Sequence, residues 1–299
     1  MKKHQALLYR RPLKWLLPMF IMLGLFYAYP LFDVIRLSFT NASILEPTYS
    51  YSLRSYSKMF NDPEILGTLA TTFIFVSTNI VMQIIIGMMI ALLIKTGMKR
   101  GFFMTEACRT VVLIAWMIPG VLVGIIWKLI LSTSNYGIVN YLLELVGLSR
   151  IGFLSEPNMA LVSTIMVNIW RGTAFSMIML YAGLQKIPEH LYEAAVVDGA
   201  NAFQQFFRIT LPLMRHIIFI NLVLITIYTF NQFDMIMSLT GGGPGRSTEV
   251  LTLTAYKQMF KFFDMGTSSA ISVLLLVLNL SIAVIYYRFV LGESNVDNQ

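Results

Sequence analysis

The chain has 299 residues, of which 57% are hydrophobic and only 12% charged, with a mean hydropathy of +0.69. Water-soluble domains carry about twice that charged fraction, so a soluble enzyme and a nucleic-acid-binding domain are both excluded. The net charge of +7 becomes a question of which side of a bilayer the cations occupy.

The single cysteine, Cys108, rules out an internal disulfide and is expected to pack as a small hydrophobe. The histidines, His4, His190 and His216, are scattered, so no metal site is expected.

Residues 1–14 carry Lys2, Lys3, Arg10, Arg11 and Lys14 ahead of an apolar run from Trp15 to about Leu37. That run exceeds a signal-peptide core of about 7–15 residues, and no small-x-small cleavage site follows. It reads as an uncleaved first span behind a tail. Asp33 and Arg36 stand three apart and can pair on one face. Residues 40–66, with Pro47 and Asn61-Asp62-Pro63, read as an external loop, so 15–66 form one region.

The second span runs from about Gly67 to Ile94, and Lys95, Lys99 and Arg100 follow it. The third, about Val111 to Leu131, carries Pro119-Gly120 at its middle, a kink that neighbouring helices can tolerate. Trp127 and Lys128 mark its outer end, an aromatic belt residue beside a snorkelling amine. An external loop over 132–157 holds a short helix at Ile138–Val146, and the fourth span covers Met159 to Tyr181.

Residues 182–215 are the one long polar interruption in the second half. Pro188 suits a helix start, Gly199 a helix stop, and Asn201 with Gln204 an N-cap and its partner. Phe203, Phe206 and Phe207 give the second short helix an aromatic stripe, and Leu211-Pro212 ends it. The fifth span follows from His216 to Leu239, and Thr240–Gly245 is an external turn. Residues 246–268 carry a helical stretch, Ser269–Phe289 is the sixth span, and 291–299 a polar tail. Each span reaches the ~20 residues a bilayer core requires.

With the N-terminus inside, the inner segments hold 13 of the 22 lysines and arginines and the outer segments eight, with Arg171 inside a span. The positive-inside bias therefore places both termini and the polar bracket in the cytoplasm. The expected fold is an all-α polytopic membrane protein of six spans. Its core is 67–290, with the cytoplasmic bracket between the fourth and fifth spans.

No catalytic constellation is visible, and Gly241–Gly245 lacks the Lys-Ser/Thr of a phosphate-binding loop. Polar groups inside spans are the functional candidates, because each must face a cavity or a partner. The fifth span carries Tyr228, Thr229, Asn231, Gln232 and Asp234, with Tyr228, Asn231, Gln232 and Met235 expected on one helical face. The fourth carries Asn168, Arg171 and Gly172. Amides, hydroxyls and aromatic rings suit sugar hydroxyls and sugar faces; the same groups also serve as hydrogen bonds between helices. Arg171 either pairs with Asp234 or contacts an acidic substrate.

Glu193-Ala194-Ala195, Gly199, Ile209 and Leu211-Pro212 fall without a gap on the pattern of the EAA loop. The chain in this respect resembles the permeases of binding-protein-dependent ABC transporters. Ile187-Pro188, Asp198-Gly199-Ala200 and Asn231–Asp234 leading into Thr240–Pro244 resemble its carbohydrate-uptake branch, typified by the maltose and glycerol-phosphate permeases, in the first-permease form.

The resemblance implies that Glu193, Ala194, Ala195, Asp198, Gly199 and Ala200 form a coupling helix docked in a cytoplasmic ATPase, with Glu193 meeting a basic residue there. It implies substrate contacts at Gly172, Phe175, Tyr228, Thr229 and Gln232. Thr229 and Gln232 stand where the maltose permease has asparagines, which puts maltose itself in doubt.

The resemblance also implies a bacterial inner-membrane protein with no cofactor of its own. ATP and magnesium would belong to two ATPase subunits, and a second permease and an extracytoplasmic binding protein would complete the assembly. Two other readings remain at this level: an importer permease for a non-sugar solute, and a stand-alone secondary transporter.

Overall fold

A computed structural model describes residues 12–294, with side chains from residue 16 to residue 288. The tail residues Lys2, Lys3, Arg10 and Arg11 lie outside the described residues. Within them the chain is helical, with isolated β-bridges and no strand.

In chain order, α1 (Pro12–Leu23) runs through a π turn (Gly24–Ala28) into α2 (Tyr29–Ser38). Then come α3 (Arg54–Asn61), α4 (Pro63–Lys99), α5 (Met104–Met117), α6 (Gly120–Ile130), α7 (Ile138–Leu145) and α8 (Pro157–Leu184). The bracket holds α9 (Glu189–Val197), α10 (Ala202–Gln205), a π turn (Phe206–Thr210) and α11 (Leu211–Leu213). The chain continues with α12 (Arg215–Phe230), α13 (Asp234–Leu239), α14 (Leu251–Phe260) and α15 (Met265–Ser294).

Four helical stretches are long and apolar enough to cross a bilayer: Leu16–Ser38, Pro63–Lys99, Pro157–Leu184 and Met265–Arg288. Two bent pairs raise the number to as many as six, α5 with α6 at 103° and Ala202–Leu213 with α12 at 70°.

The third and fifth spans depart from expectation. Pro119 does more than kink the third. Ile118 before it is extended (ψ 129°), as a residue preceding proline prefers, and Pro119 itself has ψ 137°. Two non-helical residues in succession turn the chain through far more than a proline kink.

The fifth span is not one helix to Leu239. α12 stops at Phe230, and Asn231–Phe233 lie outside helix, so Asn231, Gln232 and Met235 do not share a helical face with Tyr228. Broken backbone at this depth must find partners within the protein. Thr252 Oγ1 donates to the Gln232 carbonyl at 2.7 Å, Asn231 Nδ2 donates to the Ile227 carbonyl at 2.8 Å, and Asp234 Oδ1 accepts from the Met235 N–H at 2.9 Å.

Two further expectations fail. Leu211-Pro212 does not end the bracket helix, which runs on to Leu213. A π turn just before Pro212, closed by the Leu211 N–H on the Phe206 carbonyl, absorbs the proline there. Cys108 is exposed rather than packed.

The chain divides into two compact units. One comprises residues up to Pro63 with Ala255–Leu274. In it Arg36 pairs with Asp33 at 2.7 Å, as their spacing anticipates. The 40–53 loop is stitched down: the Gly266 N–H donates to the Ala42 carbonyl, and Ser55 Oγ to the Thr40 carbonyl. Asp264 starts α15, accepting from the Thr267 N–H at 2.8 Å and from Lys58 Nζ at 2.7 Å.

The other unit holds Glu64–Thr254 and the described residues from Leu275 onward. Its axis is α4, whose 37 residues span about 55 Å, well beyond a bilayer core of about 30 Å. Phe75, Asn79, Gln83, Gly87 and Ala91 recur every four residues along its buried face. Apolar side chains such as Val81 and Leu93 face outward. This inverts the pattern of a helix in water, because here lipid is the solvent and the amides must turn inward. Gly87 lets α4 and α8 close up; a Cβ there would stand 2.8 Å from that of Ser176.

Candidate functional site

Two regions of this second unit answer to the candidates. The first is a cavity of about 230 Å³ lined by Gln83, Trp116, Asn168, Arg171, Gly172, Phe175, Ile225, Tyr228, Thr229 and Gln232. It gathers seven of the eight expected substrate contacts. α8 supplies Asn168, Arg171, Gly172 and Phe175; Tyr228 and Thr229 come from the end of α12, and Gln232 from the break after it. Although the helix has ended, Gln232 still lines the cavity beside Tyr228 and Thr229.

The polar wall is an amide chain. Asn168 Nδ2 donates to Asn79 Oδ1 at 2.7 Å, and Gln83 Nε2 donates to the same oxygen at 3.3 Å. Asn168 therefore serves both readings, lining the cavity while tying α8 to α4. A Cβ on Gly172 would run into the Gln83 amide, so only glycine lets that amide reach the cavity. Aromatic rings complete the lining. Trp116 and Phe175 lie 5.5 Å apart, and Phe175 and Tyr228 meet edge-on at 5.7 Å.

Asp234, the eighth expected contact, does not line the cavity. Its Oδ1 accepts from Gln232 Nε2 at 2.6 Å, and its carboxylate lies against Gly120 at the start of α6. Among the described residues it forms no ion pair with Arg171. The Arg171–Asp234 pair is thus absent, because the break after Phe230 turns Asp234 towards α6. Arg171 Nε is shielded from solvent with no hydrogen-bond partner among the described residues.

Gln83, Trp116 and Ile225 were not anticipated. Gln83 is a polar residue deep inside an apolar run, a signal that was available in the sequence. Trp116 reaches the cavity because of the bend at Pro119, which a sequence pattern does not size.

The second region is the bracket. Pro188, extended at ψ 136°, precedes α9. The C-terminus closes with the Ala200 N–H on the Ala195 carbonyl (2.8 Å) and the Gly199 N–H on the Val196 carbonyl (3.0 Å), a Schellman motif with Gly199 at φ +80°. Asn201 and Gln204 form the expected reciprocal capping box.

The bracket is bolted to the end of α4. Lys99 pairs with Glu189 and holds its carboxyl below the usual range. Lys95 donates to the Leu184 carbonyl at 3.1 Å and sits 4.6 Å over the Tyr192 ring. The Tyr192 hydroxyl meets Thr210 Oγ1 at 2.9 Å across the bracket. Beneath lies a buried cluster including Met88, Ile94, Met177, Leu180, Leu184 and Met214.

Glu193, Ala194, Asp198 and Gly199 are exposed, while Ala195 and Ala200 are half-buried. Beside them Val197 is 87% and Phe203 73% exposed. Both lay outside the expected contact set.

Apolar helices long enough to cross a bilayer, with a polar and aromatic cavity among them and a capped helical bracket between two of them, have the build of a solute permease. Its family follows directly: the chain belongs to the binding-protein-dependent transport system inner membrane components, whose model matches residues 83–292. It is the permease component of an ABC importer.

It is 36% identical over 237 residues to the trehalose/maltose transport system permease protein MalF of Thermococcus litoralis, covering 79% of this chain and 78% of that one. It is 33% identical over 277 residues to the sulfoquinovosyl glycerol transport system permease protein SmoG of Agrobacterium fabrum, covering 92% and 88%. Its fold matches a chain of a bacterial ABC transporter involved in the import of the acidic polysaccharide alginate. The TM-score is 0.82, with 24% identity and 96% of each chain covered.

Proposed function

We propose that this chain is one of two permeases in an ATP-driven importer that carries a carbohydrate or sugar derivative across the bacterial inner membrane, with both termini in the cytoplasm. The observation that carries the substrate class is the cavity itself. Amides from Gln83, Asn168 and Gln232 line the same cavity as the rings of Trp116, Phe175 and Tyr228, and sugars need hydrogen bonds at their edges and apolar surface at their faces.

The cavity's 230 Å³ falls below the about 300–1,000 Å³ of a complete small-molecule pocket, which supports a site shared with a second permease. The relatives named for trehalose/maltose and sulfoquinovosyl glycerol favour a sugar over another solute.

Transport proceeds by alternating access. An extracytoplasmic binding protein delivers the substrate. ATP binding closes a pair of separate ATPase subunits, and the bracket through Glu193–Ala200 moves with them. Because α9 is closed at its C-terminus by the Schellman motif and bolted to α4 through Lys95 and Lys99, it transmits that shift as a body.

The test is ATP hydrolysis by the complete assembly in liposomes, with and without its binding protein, across neutral and acidic oligosaccharides. Hydrolysis rises with binding protein and one sugar class, and Gly199→Pro abolishes the rise. Stimulation by an amino acid alone, or transport that persists without any ATPase, would overturn the proposal.

A further inference from the structure

Among the described residues that line the cavity, Arg171 is the one charged group. Arg171 lies fourteen residues from the first residue of α8 and thirteen from its last, hence at mid-helix. A guanidinium at that depth is costly unless it faces water or an opposite charge. Among the described residues no carboxylate lines the cavity and Arg171 forms no ion pair. The nearest candidate, Asp234, is held by Gln232 and the Met235 N–H. Arg171 Nε is shielded and without a partner among the described residues, while the amide nitrogens of Asn168 and Gln83 donate to Asn79 rather than meeting a carboxylate.

From this we infer that the transported carbohydrate is an acid, and that its carboxylate or phosphate seats on Arg171 while its rings lie against Phe175 and Tyr228. A planar guanidinium can grip either group through two parallel hydrogen bonds. The charge left uncompensated in this chain is then compensated by the cargo, and a neutral sugar of the same shape leaves it unmet. This rests on the reading of the cavity as the substrate site.

The experiment uses the assembled transporter in nanodiscs, with calorimetry and the fluorescence of Trp116 as readouts. Two matched pairs serve as probes: trigalacturonate against its methyl ester, and maltose 1-phosphate against maltose. The expected result is that in one pair the acid binds about tenfold tighter or more, as a charge-assisted contact implies. That preference is lost in Arg171→Gln, retained in Arg171→Lys, and reduced by raised salt in the unmodified protein.

Equal binding within both pairs, or a preference that survives Arg171→Gln or is untouched by salt, overturns the inference. If Gly172→Val still weakens all the probes in that case, the cavity stands as a sugar site without charge selection. If no probe alters Trp116 fluorescence or responds to Gly172→Val, the inference and the substrate-site reading fall together.

Discussion

Replacing Gly199 by alanine isolates a single physical term. Gly199 has φ +80°, and a Cβ built on it meets nothing within 4 Å. No collision contributes, so the cost is that of the left-handed backbone alone, about 1–2 kcal/mol. The hydrogen bonds at stake are those of the Ala200 N–H to the Ala195 carbonyl and of the Gly199 N–H to the Val196 carbonyl.

Opening of this cap in Gly199→Ala therefore becomes about 5- to 30-fold more frequent. Hydrogen exchange at the Ala200 amide, followed by mass spectrometry on the assembled transporter, reads that factor directly. Asparagine tolerates the left-handed region better than alanine, so Gly199→Asn falls between the wild type and Gly199→Ala. Stimulated ATP hydrolysis follows the same order. Unchanged exchange at Ala200 in Gly199→Ala, or an asparagine variant as labile as the alanine one, would refute the argument that backbone conformation is what glycine supplies here.

Three further expectations concern other contacts. Tyr192→Phe removes the hydroxyl that meets the buried Thr210; it costs about 1 kcal/mol, measurable as earlier thermal release of the bracket, with a smaller added loss in Tyr192→Phe/Thr210→Val than the two singles combined. Gly124→Leu drives a side chain into α13, where even a Cβ would lie 2.7 Å from the Met235 carbonyl; it impairs assembly in detergent, whereas Leu122→Ala on the exposed face of α6 leaves assembly intact. Burial alone would raise the Asp264 carboxyl, but hydrogen bonds from Lys58 and Thr267 outweigh it and hold it below the usual range. Its contribution to stability is present above the ordinary carboxylate range and is lost as pH falls through that depressed value. Thermal melts across acidic pH show this dependence, and Asp264→Asn flattens it.

Much of the molecule was legible in the sequence because the signals were local. Apolar run length located the four continuous spans, since a bilayer core demands about 20 residues whatever surrounds them. The bracket could be read almost bond by bond from Pro188, Gly199 and the Asn201/Gln204 pair, because caps depend on residues within one turn of each other. The spacing of Asp33 and Arg36 sufficed for their pairing on one face. The family pattern from Glu193 to Pro212 named the class of protein.

What only the tertiary structure decided depends on angles and neighbours. Pro119 announced a bend, but its 103° follows from two successive residues leaving the helix, and that bend brings Trp116 to the cavity. The break of the fifth span at Asn231–Phe233 has no local signature, since the stranded carbonyl of Gln232 is satisfied by Thr252, twenty residues on. The same break turned Asp234 away from Arg171 and left the guanidinium facing the cavity alone. Hydrophobic periodicity records which face of a helix is buried; it does not record which polar group satisfies which, because in a membrane those partners come from distant segments packed alongside.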